Sequence, residues 1–86
     1  MAQLPLPAEQ IFKDFAFDLI SCAVKRNGAV LEGLLNNDEE GRYIAFLHGC
    51  DILIGDVIVS ENKRYLIEDV QTYSYNGAPS MVRAYY

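Results

Sequence analysis

The feature that most constrains the fold is a pair of β-rich segments in the second half of the chain. They are Gly55-Asp56-Val57-Ile58-Val59-Ser60 and Arg64-Tyr65-Leu66-Ile67-Glu68-Asp69-Val70, joined by the polar residues Glu61-Asn62-Lys63. Two runs of branched and aromatic residues around so short a polar turn predict a tight β-hairpin. We expect Val57, Val59 and Ile67 to lie in the core. Asp56 follows a glycine, so we expect it to hydrogen-bond within a turn rather than to act in catalysis.

Turn signals recur at close intervals along the rest of the chain, which is typical of a small antiparallel β-barrel. We predict about six strands, at residues 17–24, 29–35, 42–47, 57–59, 65–70 and 80–86. Because 86 residues suffice for one domain, we assign residues 1–86 to a single, mainly β domain. Before the first strand, Ile11, Phe12 and Phe15 are spaced to form one face of a short helix.

Other local signals predict turns and unusual backbone. Asn27-Gly28 indicates a two-residue type I′ hairpin turn. Gly33 lies inside the second predicted strand and marks either a bulge or a close approach of another backbone. The segment Asn36-Asn37-Asp38-Glu39-Glu40-Gly41 indicates a solvated loop, and the dense apolar run after Arg42 predicts a strand buried on both sides. Two prolines in residues 1–7 favour an extended arm.

The charge balance disfavours two classes of partner. Twelve acidic residues against seven basic ones give a net charge of −5. Nucleic-acid binders of this size usually display a basic patch, whereas the basic pairs here, Lys25-Arg26 and Lys63-Arg64, stand at predicted turns. We therefore expect no direct nucleic-acid binding and no membrane binding. Residues 1–7 do not resemble a signal peptide and two cysteines are too few for a disulfide scaffold, so we expect a cytoplasmic protein.

None of the residue patterns indicates catalysis, a metal site or a cofactor site. His48, Cys50 and Asp51 are close in sequence, but structural zinc sites use four ligands in paired spacings. A Cys–His nucleophile pair would also need a third group to orient the histidine. The acidic residues at 38–40 lack the ligand spacing of an EF-hand. We therefore expect a non-enzymatic protein with no catalytic residues, no metal and no cofactor.

The tyrosines are concentrated near the C-terminal end of the sequence. Four of the six lie after residue 72. Tyrosine combines a large apolar face with a polar tip, which suits protein interfaces. We expect Tyr73 and Tyr85 to face the interior. For Tyr75 and Tyr86 an interface role and ordinary packing within strands are equally supported, since tyrosine is also frequent in strands.

Two segments together resemble the phage head–tail joining proteins of the small β-barrel type. The segment Asn27-Gly28-Ala29-Val30-Leu31-Glu32-Gly33-Leu34-Leu35-Asn36-Asn37-Asp38 is similar to their early strand and acidic loop. The segments Gly55-Asp56-Val57-Ile58-Val59 and Tyr65-Leu66-Ile67-Glu68-Asp69-Val70 are similar to their later hairpin. The order also agrees: a short helix, a strand pair, a loop, the Gly-Asp hairpin and a closing strand, over about residues 8–86.

The resemblance implies a structural protein without enzymatic activity. Such proteins form rings on the portal of a filled head or at the tail end. It implies that this chain contacts copies of itself and other virion proteins, such as portal or tail components, in the host cytoplasm or in the virion. It also implies that the acidic loop faces a ring or channel, which makes Asn37, Asp38, Glu39 and Glu40 candidate interface residues together with Tyr75 and Tyr86.

The alternative is a small-barrel protein-binding module of a mobile element with one protein or peptide partner. Exposed strand edges of such barrels can accept a strand from a partner.

Overall fold

A computed structural model describes residues 2–86, which form one short helix, a 3₁₀ turn and eight strands. The helix α1 spans Ala8–Asp14 and the 3₁₀ turn spans Ala16–Asp18. The strands are β1 (Ala2–Gln3), β2 (Leu19–Val24), β3 (Val30–Asp38), β4 (Gly41–Leu47), β5 (Val57–Ser60), β6 (Lys63–Leu66), β7 (Asp69–Tyr75) and β8 (Ala78–Tyr85).

All the strands belong to one sheet, in the order β1-β7-β8-β4-β3-β2-β5-β6. Every pairing is antiparallel except that of β1 with β7. The predicted mainly β, antiparallel fold is therefore confirmed. The sheet is open, because its order ends at β1 on one side and at β6 on the other, so it is not the closed barrel of about six strands that we predicted.

The fifth predicted strand, 65–70, is divided in two because the chain changes partners at its middle. The backbone N–H of Ile67 donates to the carbonyl of Asp56, the residue before β5 (2.8 Å). The backbone N–H of Glu68 instead donates to the carbonyl of Tyr85 at the end of β8 (2.8 Å). The extended stretch that contains β6 and β7 therefore pairs first with β5 and then with β8.

Two apolar cores lie on opposite faces of the sheet. The helix-side core contains Leu4, Ala8, Phe12, Leu34, Tyr43, Ala45, Met81 and Tyr85. The hairpin-side core contains Cys22, Val24, Ile44, Phe46, Ile52, Ile58, Ile67 and Ala84. Strands β5 and β8 share the second core although three strands separate them in the sheet, so the sheet is strongly curved.

The strand β4 supplies side chains to both cores, which confirms the predicted burial on both sides. Tyr43 and Ala45 enter the helix-side core, whereas Ile44 and Phe46 enter the hairpin-side core. Successive residues of a strand point to opposite faces, so a strand between two cores needs apolar residues at every position.

The hairpin of β5 and β6 forms as predicted, with a two-residue turn at Glu61 and Asn62. Both residues have positive φ, 50° and 67°, as a type I′ turn requires. The predicted orientation of β5 is wrong: Ile58 is fully buried, whereas its neighbours Val57 and Val59 are only half-buried. Ile67 lies in the core as expected.

The turn at Asn27-Gly28 differs from the prediction. Ala23 pairs with Val30 and the amide of Val24 donates to the carbonyl of Ala29, which leaves a four-residue connection. Gly28 has a positive φ of 72°, but Asn27 does not. A two-residue type I′ turn requires positive φ at both positions, so the predicted turn type is wrong while the hairpin itself is present.

The predicted loop at 36–41 is also wrong, because β3 continues to Asp38 and only Glu39 and Glu40 form the turn to β4. Polar residues can occupy a strand where one of its faces is solvated. Here Asn36 and Asn37 are exposed, and Asp38 is held by contacts across the sheet.

Gly33 is not in a bulge, because it pairs in register with Ile20 of β2, and the atoms that come close to it belong to side chains rather than to another backbone. A Cβ atom built there would lie 2.6 Å from Cγ2 of Ile44 and 3.1 Å from Sγ of Cys22, so core side chains occupy the space. Cys22 itself is fully buried and unpaired, and burial raises the pKa of its thiol to about 11.

The N-terminal residues lie against the sheet. Within the predicted arm at 1–7, Met1 falls outside the described residues, Ala2–Gln3 pairs with Tyr73 and Ser74, and Leu4 is buried. Phe12, in the helix that follows, is buried, whereas half of Phe15, directly after the helix, is exposed.

Candidate interaction cleft

An open cleft of about 550 Å³ separates the N-terminal residues from the helix-side face of the sheet. Residues that precede β2 form its walls: Leu4, Pro5, Ile11, Phe15 and Asp18. Residues of the sheet form its floor: Leu34, Tyr43, Ala45, Met81 and Arg83. The apolar residues of the floor are themselves buried, with Tyr43 5%, Ala45 1% and Met81 3% exposed, so the open surface of the cleft belongs mainly to its walls.

Arg83 is the central polar residue of the floor. Its guanidinium carbon lies 3.9 Å from the ring centre of Tyr73 and 4.5 Å from that of Tyr43. A guanidinium over aromatic faces is attracted by the negative charge of the ring faces. The two rings, one from β7 and one from β4, therefore hold the Arg83 side chain in a fixed position.

Asp38 closes this cluster at the end of β3. Its Oδ2 accepts hydrogen bonds from Nη1 of Arg83 (2.7 Å) and from the hydroxyl of Tyr85 (2.6 Å). Its Oδ1 accepts one from the backbone N–H of Glu40 (2.8 Å). The hydrogen bond from Tyr85 and the positive charge of Arg83 hold the pKa of Asp38 below its usual value, so Asp38 is ionised at neutral pH.

Burial and the hydrogen bond to Asp38 raise the pKa of Tyr85, so its hydroxyl remains protonated and donates. The hydroxyl oxygens of Tyr73 and Tyr85 are 3.2 Å apart. Since the oxygens of Asp38 are occupied, the cluster is suited to holding its groups in place rather than to transferring a proton.

Arg83 nevertheless has one buried polar atom without a partner among residues 2–86, because its Nε forms no hydrogen bond there. An unsatisfied buried donor costs about 1–3 kcal/mol, so the position of Arg83 between the two rings carries a cost in stability.

A shallower pocket of about 350 Å³ adjoins the cleft at Arg83 and is acidic. Its lining includes Asp38, Glu39 and Glu40. The amide of Gln71 donates to Glu40 (2.6 Å) and to Asp69 (3.1 Å), which joins the β3–β4 turn to the start of β7. This margin of the cleft therefore carries an excess of negative charge.

The predicted interface residues are divided between two places. Asp38, Glu39 and Glu40 meet at the acidic margin, and Asn37 is exposed beside them on β3. Tyr75 and Tyr86 are not part of the cleft.

Tyr75 precedes the β7–β8 turn and is half-buried. Tyr86 packs against the ring of Tyr65, with the ring centres 4.7 Å apart, and beneath the guanidinium of Arg42.

Sequence reasoning missed Arg83 and Tyr43, which define the floor. Arg83 is 45 residues from Asp38 in the chain, and the two meet only because β8 and β3 flank β4. The available signal was the charged Arg83 in an otherwise apolar predicted strand.

A second arginine–aspartate pair lies at the turn before β5. Oδ1 of the buried Asp56 accepts from Nε of Arg26 (2.8 Å), and its Oδ2 accepts from the amide of Leu53 (2.9 Å). The ion pair with Arg26 holds the pKa of Asp56 below its usual value. Asp56 thus has the turn-forming role predicted from the sequence.

The residues weighed as metal ligands lie elsewhere. His48 is exposed at the turn after β4, and Cys50 is half-buried. Within the described residues 2–86, no group of three or more His, Cys, Asp or Glu side chains is placed to hold a metal ion.

None of the helices formed by residues 2–86 has the length and apolar character needed to span a membrane. Comparison with known proteins found no matching family model, no matching curated protein and no matching solved structure.

Proposed function

We propose that this protein is a non-enzymatic structural protein of a phage or prophage, a head–tail connector subunit that assembles into a ring. In this proposal it contacts portal or tail proteins in the host cytoplasm and in the virion. The resemblance in layout to head–tail joining proteins motivates the proposal. The observation that supports it best is the opposite charge of the two free edges of the open sheet.

The first free edge is basic. Strand β6 ends the sheet, so one side of its backbone has no neighbouring strand among residues 2–86. Lys63 and Arg64 are exposed on this strand, together with Leu66. Lysines on an edge strand oppose the pairing of two identical edges, because like charges would face each other.

The second free edge is acidic. On the side of β7 that faces away from β8, β1 covers only Tyr73 and Ser74, so residues 69–72 have no strand partner there among the described residues. Glu68 and Asp69 are exposed where this edge begins.

Pairing the basic edge of one copy with the acidic edge of the next would be a head-to-tail contact. Such a contact leaves a free edge on each end, and it forms a ring when the rotation between subunits closes. Addition of a strand to an exposed edge supplies backbone hydrogen bonds, and opposite charges fix the choice of edge. A small domain with a limited core also gains stability from association.

A charge-swap experiment tests the head-to-tail contact. One variant carries Lys63→Glu and Arg64→Glu, and a second carries Glu68→Lys and Asp69→Lys. Light scattering and sedimentation should show mass increasing with concentration for the unmodified protein but not for either variant alone. An equimolar mixture should regain assembly, because the first variant has two acidic edges and the second has two basic edges, so that every contact between the two variants joins opposite charges.

The matched control is Lys13→Glu with Lys25→Glu, which changes the net charge equally at exposed residues outside both edges. This control should assemble as the unmodified protein does. Monomer at all concentrations, with no binding to portal or tail proteins, would contradict the proposal.

A further inference from the structure

We infer that the cleft over Arg83 binds an extended segment of another protein that presents one large apolar side chain next to a lysine or arginine. This site is separate from the sheet edges used for self-assembly, and the inference does not depend on that assembly.

The N-terminal wall of the cleft supplies the apolar half of this specificity. Phe15 is 50% exposed, and Pro5 and Ile11 line the cleft beside it. Large apolar side chains gathered around a concave surface are characteristic of binding sites. A volume of about 550 Å³ lies within the range of ligand pockets, and the cleft is open enough for a chain to pass through.

The charges around the cleft select a cation. Arg83 is neutralised by Asp38 at 2.7 Å, so it adds little positive potential. Asp18 on the wall, and Glu39 and Glu40 in the adjoining pocket, have no ion-pair partner within 4.0 Å among residues 2–86. A basic residue of the bound segment would meet these carboxylates, whereas an acidic residue would be repelled.

The floor is built to accept contact with little loss of freedom. Tyr43 and Arg83 are already fixed, because the guanidinium lies against the rings of Tyr43 and Tyr73 and is bound by Asp38. Tyrosine and arginine are enriched among the residues that carry binding energy at protein interfaces.

Short acetylated peptides test the inference directly. The probe is Gly-Lys-Phe-Lys-Gly, and the comparison peptides are Gly-Glu-Phe-Glu-Gly and Gly-Lys-Ala-Lys-Gly. Titration into nitrogen-labelled protein that carries Lys63→Glu and Arg64→Glu keeps self-association out of the measurement. We expect the probe to shift amide signals of the cleft residues and to bind at least about tenfold more tightly than either comparison peptide, a difference of about 1.4 kcal/mol.

Matched variants locate the binding. Phe15→Ser should weaken binding of the probe about tenfold, whereas Phe17→Ser should leave it unchanged, since Phe17 is also exposed (106%) but lies outside the cleft. Glu39→Lys with Glu40→Lys should reduce the preference for the basic peptide, and Glu61→Lys should not.

Three results would overturn the inference: equal binding of the three peptides, no shifts at the cleft, or equal loss from Phe15→Ser and Phe17→Ser. Cleft signals that shift with the concentration of the unmodified protein, and not with that of the edge variant, would instead identify a second copy as the occupant. The head-to-tail proposal is judged by mass alone, so the two can fail separately.

Discussion

Two of the arginine–aspartate ion pairs have nearly equal contact distances and very different surroundings. Arg26 meets Asp56 at 2.8 Å, and Arg83 meets Asp38 at 2.7 Å. In the first pair the aspartate is buried, with 5% of its side chain exposed, and the arginine is exposed. In the second pair both partners are mostly buried, with 22% of Asp38 and 17% of Arg83 exposed.

The two arginines differ in which of their guanidinium nitrogens form hydrogen bonds. Arg26 directs Nε to Asp56 and Nη2 to both Asp56 and the carbonyl of Asp51, so it ties two parts of one turn together. Arg83 leaves its buried Nε without a partner among residues 2–86, at the floor of an open cleft. The first pair joins parts of one turn, whereas the second is held between two tyrosine rings at the cleft floor.

The largest effect is expected from removing Asp56. Asp56→Ala should lower the free energy of unfolding by about 3 kcal/mol, because the turn amide of Leu53 loses its acceptor and Arg26 keeps only its contacts with Asp51. Chemical denaturation measures this loss. Asp51→Ala is the control and should cost less than about 1 kcal/mol, since that side chain is 68% exposed. Equal losses would remove the distinction between a structural pair and a surface pair.

A smaller effect is expected at the other pair. Arg83→Met should lower the free energy of unfolding by about 1–2 kcal/mol, because Asp38 keeps its hydrogen bonds from Tyr85 and Glu40 while the unpartnered Nε disappears. In Arg83→Lys the new side chain should not pack between the two tyrosine rings as arginine does, because lysine lacks the planar guanidinium. We therefore expect Arg83→Lys not to regain the stability of the unmodified protein. Denaturation of the two variants side by side checks this. A loss greater than that of Asp56→Ala would reverse our ranking of the pairs.

The smallest effect is expected from acid. The pKa of both Asp38 and Asp56 is lowered in the folded protein, so the unfolded chain binds protons first as the pH falls. Both carboxylates therefore stabilise the fold at neutral pH, and this contribution is lost below about pH 4, the usual range of aspartate.

The difference in unfolding free energy between Asp56→Asn and the unmodified protein should consequently shrink from pH 7 to pH 3. The same should hold for Asp38→Asn. A difference that stays constant with pH would show that the carboxylate charge does not contribute.

Local patterns predicted those parts of the fold that depend on neighbouring residues. The β5–β6 hairpin, the short helix before β2 and the doubly buried β4 all follow from composition and spacing within a few residues. The orientation of β5 did not, because Val57, Ile58 and Val59 are all apolar and the sequence contains no polar residue to mark the outer face. Contact with the hairpin-side core decides in favour of Ile58.

The cleft could not be predicted for a different reason. Its floor joins β3, β4 and β8, and the contacts among them depend on sheet order rather than on local sequence. Asp38, Glu39 and Glu40 were predicted as interface residues from the resemblance of their acidic segment to that of head–tail joining proteins. Tyr43 and Arg83 were not, because their partners lie on other strands.

The reaction of buried Cys22 with a thiol reagent can measure transient opening of the sheet in the unmodified sequence. A thiol with a pKa of about 11 is almost entirely protonated at neutral pH, and its burial shields it from reagents. A thiol reagent will therefore modify Cys22 only when the curved sheet transiently opens, whereas half-buried Cys50 will react during smaller fluctuations. The modification rate of Cys22 therefore reports the opening of the sheet, and the modification rate of Cys50 reports the motion of the loop that follows β4.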